Sequence, residues 1–363
     1  MELSVMFFGA DRVGATGAGP DHAAQYETIL AVARAADELG FAAVWTPERH
    51  FQQVGQVFPS PPVLSAALAV ATERIALRGG SVVLPLHHPL RVVEDWAVVD
   101  NLSRGRAGFS VATGWHSADF VLAPDHYADR RERALGDIPL LRRLWAGEGV
   151  DYPDGTGRTV TVRPQPTPVQ PALPLWLTTS GSPATWEAAG RLRTGVLGAT
   201  VGQSRADLAD RIARYRAAYA AAPEQPGTHP AHGTVTLMTH TYVGVDDAEV
   251  RRRVEAPLKA YLTSYVRQTA ANRGAGGGHA AEQGAKAVAA LDDQQIALLT
   301  DFAFQRYLTW GSLLGSPETC AGTLADLRDL GCDEVACFVD FGLGQDEVLA
   351  GLHRLSALRK DLA

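Results

Sequence analysis

Cysteine is scarce in this chain: three residues in 363, Cys320, Cys332 and Cys337, all late in the sequence. Their spacing matches neither a zinc ribbon nor a redox C-x-x-C pair, so they read as inert thiols of a reducing compartment, and no metal site is expected. Positive charge is in deficit, with 33 Lys and Arg against 40 Asp and Glu, a net charge of -7 and a pI near 5.9. That balance argues against a broad basic surface for nucleic acid or an anionic membrane. Nothing approaches the ~20 apolar residues of a membrane span. The apolar patch in the opening "MELSVMFFGADRVG" is short for a signal segment and has no basic flank, so a cytoplasmic protein is expected.

What is present is alternation. Apolar strand-like runs and helical patterns follow one another almost from end to end, the order expected of parallel strands joined by crossover helices. "LSVMFFG" reads as a strand; Tyr26, Ile29, Leu30, Ala33 and Ala36 fall at helical spacing before Gly40; "FAAVWT" reads as the next strand. Helices follow at about 61–72, 89–103 and 130–146, the second with a stripe of Val92, Trp96, Val99 and Leu102. Strands are read in "RIALRGGSVVLP", "RAGFSVAT", "LWLTT", "TGVLGAT", "TVTLMTHTYVG" and "EVACFVDF". Eight strand–helix units match a closed (β/α)8 barrel formed by the whole chain, 1–363, as one domain. An open doubly wound sheet is the rival, but no G-x-G-x-x-G follows the first strand. The extra length lies in the Pro-rich 147–173 connection and in an insertion of about 256–315. Within it, the Gly-rich 272–290 stretch is expected to act as a mobile lid after strand seven.

Four stretches could carry chemistry. In "FAAVWTPERHF", Glu48, Arg49 and His50 stand where the second strand ends, which in a barrel is the reactive face; a solvated loop is the bland alternative. In "LRGGSVVLPLHHPLR" two glycines interrupt a strand, marking a bulge, a close ligand approach or a packing kink. In "LWLTTSGSPATW", a strand runs through Ser180, Gly181 and Ser182 to Pro183 at a helix start, with Thr185 one turn inside. This turn suits a phosphate, or simply a helix cap. In "GFSVATGWHSADF", small residues Ala112, Thr113 and Gly114 at a strand end leave room for a flat ring, and also fit a crowded barrel interior. His116 follows them and reads first as structural.

In this order and combination, "AAVWTPERHF", "GGSVVLPLHHPLRVVEDWAVVDNLSRGR" and "ATGWHSADF" resemble the bacterial luciferase-like flavin-dependent monooxygenases, closest to the branch associated with natural-product assembly lines. The resemblance covers nearly the whole chain. It implies a (β/α)8 barrel that binds reduced FMN in its mouth, a separate flavin reductase as partner, and transfer of one oxygen atom to a substrate, by hydroxylation or Baeyer-Villiger insertion. The substrate would be a small molecule or one tethered to a carrier protein. The resemblance further implies a non-prolyl cis peptide under the flavin at Gly80-Ser81, with Ala112, Thr113 and Gly114 beside the ring. Ser180, Gly181, Thr185 and Arg131 would lie on the phosphate side. Glu48 and His50 match the outer members of the luciferases' Glu-His-His; Arg49 departs from it and cannot act as a base. His50 is therefore expected to move the proton, with Glu48 orienting it or Arg49, and His116 is the next suspect. A homodimer through helices of the second and third units is also implied. Two other functions stay open: flavin- or deazaflavin-dependent hydride transfer, and flavin binding without catalysis.

Overall fold

The computed structural model describes residues 1–9, 21–51, 55–179, 181–224, 232–273 and 291–361. Eight parallel strands close into a barrel in the order β1 (Glu2–Met6), β2 (Ala43–Thr46), β3 (Ala76–Val83), β4 (Ala107–Ala112), β7 (Leu175–Thr178), β8 (Gly195–Ala199), β9 (Val235–Val243) and β11 (Glu334–Phe338). Closure comes from β8 pairing with β9 and β11 pairing with β1, Glu2 opposite Glu334. The helices α1 (His22–Glu38), α2 (Pro61–Ala71), α3 (Pro89–Ser103), α4 (Arg130–Trp145), α5 (Pro183–Arg191), α6 (Arg205–Ala221), α7 (Asp247–Arg273), α8 (Asp293–Thr309), α9 (Pro317–Asp329) and α10 (Gln345–Asp361) wrap it. Their starts follow local chemistry. Proline occupies the first position of α2, α3, α5 and α9, where no N–H is missed, and Ser204 with Asp207 closes a capping box on α6.

All eight strands read from the sequence are present, in order. Three features differ. The 147–173 connection holds an antiparallel hairpin, β5 (Val150–Pro153) with β6 (Thr159–Val162). The insertion of about 256–315 ends in a short strand, β10 (Leu313–Gly315), laid against the end of β9, before α9. On α3, Trp96 and Val99 are buried as the stripe predicts, but Leu102 is exposed: α3 buries a narrower face than its sequence offers. The expected lid lies largely outside the described residues, at 274–290.

Two buried layers result. The larger lies between strands and helices, and a smaller one fills the barrel with Met6, Ala43, Trp45, Trp176, Leu197 and Ala336. At its base the Arg78 guanidinium packs against the rings of both Trp45 and Trp176, 5.0 and 4.5 Å from their centroids, while the two rings meet edge to face at 5.1 Å. Arg78 Nη1 donates to Glu334 Oε2 at 2.6 Å, while Ser4 Oγ (2.5 Å) and Trp45 Nε1 (3.0 Å) donate to Glu334 Oε1. Burial opposes ionisation of Glu334, but the Arg78 charge and these hydrogen bonds outweigh it and hold the carboxyl below its ordinary value.

The three cysteines are free and buried, and burial pushes their thiols up, Cys320 and Cys337 to about 12. Burial disfavours their thiolate forms, in keeping with the inert thiols expected from their spacing.

Removing one partner of a buried pair strands the other, so Glu334→Ala is expected to cost about 3–5 kcal/mol in urea unfolding. The folded-state value is depressed, so the Glu334 contribution is complete above its ordinary value of 4.5 and lost as pH falls through the folded one. A variant within about 0.5 kcal/mol of the parent would show the pair to be energetically idle.

Candidate active site

The C-terminal ends of the barrel strands form the mouth. At the end of β2, the chain turns through Pro47 and sends Glu48 inward with its side chain fully buried. Glu48 Oε1 meets His50 Nε2 at 2.8 Å and His87 Nε2 at 2.6 Å, and Glu48 Oε2 accepts the Val83 amide at 2.7 Å. Burial favours the neutral acid, yet the bonds from His50, His87 and Val83 together keep Glu48 below its ordinary value. For His87 burial lowers and the bond to Glu48 raises, and the raising wins. The sequence pattern does not single out His87; only the turn at Leu84–Leu86, which closes with His87 N donating to Leu84 O at 3.0 Å, brings it to Glu48.

Arg49 is buried with its Cζ 3.8 Å from the centre of the Phe8 ring, a cation–π contact. Gly55, at φ +83°, lets the loop close over it: a Cβ there would lie 2.3 Å from Arg49 Cδ. His116 is buried at the end of β4, its ring centre 3.5 Å from that of Trp115.

The two strand glycines mark both a bulge and tight packing. The β3–β4 register shifts between Gly80 and Val82, leaving Ser81 as the extra residue, and the Gly80-Ser81 peptide is cis. A Cβ on Gly80 would approach Trp45 Cε3 to 2.9 Å, and one on Gly79 would approach Trp96 Cζ2 to 2.8 Å. Ser81 and Ser110 hydroxyls both meet Thr178 Oγ1, the latter at 2.5 Å. Ser110 and Thr178 carry no motif of their own; strand alternation alone places them on this wall with Ser81. Next to it, Ala112 and Thr113 are part-buried and Gly114 is buried at φ +76°.

Across the β7–α5 turn, Arg131 Nη1 donates to Thr185 Oγ1 at 2.9 Å, joining two residues that are 54 positions apart. Gly181 has φ +115° and lies beside Arg211, whose Nη1 donates to Gln203 Oε1. Ser180 lies outside the described residues. Arg211 escapes a reading of the sequence because it arrives from α6.

The opposite side of the mouth, on β1, β9 and β11, is aromatic. His240 of β9 is fully buried with ring centres of Phe338, Tyr307, Tyr261 and Phe341 at 4.4, 4.8, 5.3 and 5.6 Å. Both its ring nitrogens lack a hydrogen-bond partner among the described residues. Burial pushes it down to about 3, so it is neutral at working pH. At the end of β11, Asp340 accepts the Phe8 and Gly9 amides at 2.8 Å each. Burial pushes Asp340 up to about 7, against those bonds and the Arg49 charge.

The sequence profile of the family described as luciferase-like monooxygenase matches residues 1–334. The chain belongs to that family. The flavin-dependent trigonelline monooxygenase, oxygenase component, of Acinetobacter baylyi is 26% identical over 339 residues, covering 91% of this chain and 88% of that one. Among solved structures, monooxygenase RslO1 from Streptomyces bottropensis superposes with a TM-score of 0.76 at 24% identity over the whole of both chains. The oxygenating constituent of 3,6-diketocamphane monooxygenase from Pseudomonas putida, in complex with FMN, scores 0.70 at 17% identity, covering 98% of this chain and 96% of that one. An F420-dependent secondary alcohol dehydrogenase scores 0.68 at 13%, covering 98% and 99%. These structural likenesses establish the luciferase-like barrel fold. Among the described residues, no helix is long and apolar enough to cross a membrane, and no cluster of His, Cys, Asp and Glu could hold a metal ion.

Glu48→Gln removes the charge that holds His87 up while leaving the ring buried, so His87 is expected to titrate below its ordinary value of 6.5. Ring-nitrogen NMR across pH reads this directly; an unmoved midpoint would mean that Glu48 is not the cause.

Proposed function

We propose that the protein is an FMN-dependent monooxygenase, using reduced FMN and molecular oxygen to oxygenate a small or carrier-protein-tethered substrate in secondary-metabolite biosynthesis. The observation that carries this reading is the buried Glu48–His50 pair set at the same mouth as the Gly80-Ser81 floor. The residues fit such a group. Gly80 presents no Cβ to the barrel interior, Ser81, Ser110 and Thr178 supply hydroxyls, and Arg131, Thr185 and Arg211 gather donors for a phosphate beside the α5 N-terminus. When bound, reduced FMN supplies the electrons that activate oxygen; the rest is the work of the chain. The aromatic wall from Phe8 to Phe341 keeps water out of the mouth and favours an apolar, flat substrate, with the neutral His240 ring packed into that wall. Arg49 stays charged. His50 moves the proton, and Glu48 fixes which ring nitrogen faces the reaction.

The A. baylyi relative is an oxygenase component, which supports a separate flavin reductase as partner. Exposed Val63 and Val70, seven residues apart on one face of α2, and Val98 and Leu102 on α3 support a homodimer through those helices. Three free buried thiols suit a cytoplasmic enzyme. Hydride transfer with a flavin or deazaflavin is the second reading, favoured by the shared fold of the F420-dependent dehydrogenase. A non-catalytic flavin binder would have no use for the Glu48–His50 bond.

Losing one hydrogen bond to a charged group costs about 1.5–3 kcal/mol, or roughly 10- to 150-fold in affinity. Thr185→Val is therefore expected to weaken FMN far more than riboflavin; equal weakening would put the phosphate elsewhere.

With labelled oxygen and reduced FMN, the product is expected to carry one labelled atom by mass spectrometry. His50→Ala should lower its formation by roughly 100-fold or more, as for loss of a general acid or base, with FMN affinity kept within a few-fold. Anaerobic turnover with reduced deazaflavin and no labelled product would establish the hydride-transfer reading instead.

A further inference from the structure

We propose that His87 is the solvent-side end of a proton relay running through Glu48 to His50, an inference that rests on the oxygenase reading above. Three geometric facts carry it. Both imidazoles meet the same carboxylate oxygen, His50 Nε2 at 2.8 Å and His87 Nε2 at 2.6 Å. The second oxygen is held by the Val83 amide at 2.7 Å, so the carboxylate cannot turn away from either ring. Side-chain exposure falls from 33% at His87 to 0% at Glu48, with His50 at 10%. The line of atoms therefore leads from water through a buried carboxylate into the mouth.

A site that excludes water still has to bring in or release a proton each turnover. His87 takes a proton from water on Nδ1 and gives the one on Nε2 to Glu48 Oε1. Glu48 passes a proton to His50 Nε2, and His50 gives one from Nδ1 to the reacting group. The transfer starts with His50 carrying its proton on Nδ1 and Nε2 accepting. Each ring gains one proton and loses one and so ends in its other tautomer, and the carboxylate ends as it began. A turn of each ring or exchange at Nδ1 resets the rings for the next transfer. Run backwards, the same atoms export a proton. The charged groups facing the relay suit it. His87 faces Glu48 and, from α3, Asp95, and both favour its protonated form over the opposing effect of burial. Glu48 faces His50 and His87, and Arg49 next in sequence is turned away onto Phe8. The neighbouring His88 is engaged elsewhere, with its Nδ1 accepting the Leu90 amide at the start of α3 and its ring packed 5.2 Å from Tyr152.

His87→Gln keeps an N–H for Glu48 but cannot carry a proton through; His87→Ala removes both. In the protein without flavin, exchange of the His50 ring N–H with water, read by NMR, is expected to slow about tenfold in His87→Gln, a modest share of what general acid–base delivery contributes. In turnover with reduced FMN, both variants should lose about tenfold or more in rate at saturating substrate, with FMN affinity unchanged, and added imidazole should restore the rate in His87→Ala. Unaltered His50 exchange overturns the relay, and so does a rate loss that imidazole leaves untouched, which would make His87 a positioning residue. If the parent enzyme makes no oxygenated product, the oxygenase reading fails, while the exchange measurement still decides whether protons reach His50 through His87.

Discussion

A carboxylate buried without water must find compensation within the protein, and at Glu48 that requirement organises the mouth. Its side chain is fully enclosed, so both oxygens need donors. One oxygen draws the two imidazoles, and the other takes the Val83 amide at the end of β3. One side chain thus ties the loop after β2 to the end of β3 and to the turn that leads into α3. The order of His50 follows from this charge, because a histidine anchored through Nε2 must present Nδ1 to whatever else it meets. An apolar residue in place of Glu48 would relieve the desolvation and lose the alignment.

Around this anchor the mouth divides by chemistry. On the β3, β4 and β7 side the inner positions are Gly80, Ser110 and Thr178, small or hydroxylated, and the Arg131–Thr185 bond continues the polar side to the α5 start. On the β9, β11 and β1 side they are His240, Phe338 and Phe8, packed at centroid distances of 4.4 to 5.1 Å. The first side is suited to a charged or dipolar group, and the second to an apolar one. The division follows from strand order: residues two apart on one strand share the inner face, and the same height on neighbouring strands shares a layer.

Much of the scaffold is legible in the sequence because local chemistry and fold agree. Proline at four helix starts, Gly40 after α1 and the alternation of apolar runs each point to the same boundaries. The features that escape depend on partners distant in sequence. β10 is three residues long and exists because the end of β9 offers free backbone groups. Leu102 lies on a valid helical stripe, yet 46% of its surface stays exposed. Glu48 and His50 are neighbours in sequence and can be named together, whereas His87 lies 39 positions from Glu48 and Arg211 comes to the β7–α5 turn from another helix. His240 carries no sequence signal at all; one histidine in "TVTLMTHTYVG" becomes unusual only when four aromatic rings close on it.

Arg49 shows how one departure redistributes roles. A histidine there could exchange a proton; an arginine keeps its charge and finds a ring to rest on, at 3.8 Å over Phe8. The backbone amides of Phe8 and Gly9 are in turn held by Asp340, whose ionisation is pushed up to about 7 by burial and opposed by the same Arg49 charge. Arg49 and Asp340 therefore form a fixed cation facing a carboxylate that can be neutral or charged near neutral pH. The guanidinium supplies a permanent positive field at the mouth, with its hydrophobic contact made through the Phe8 ring. In the proposed relay, proton exchange beside the Glu48 anchor falls to His50 and His87, and the fixed charge of Arg49 takes no part in it.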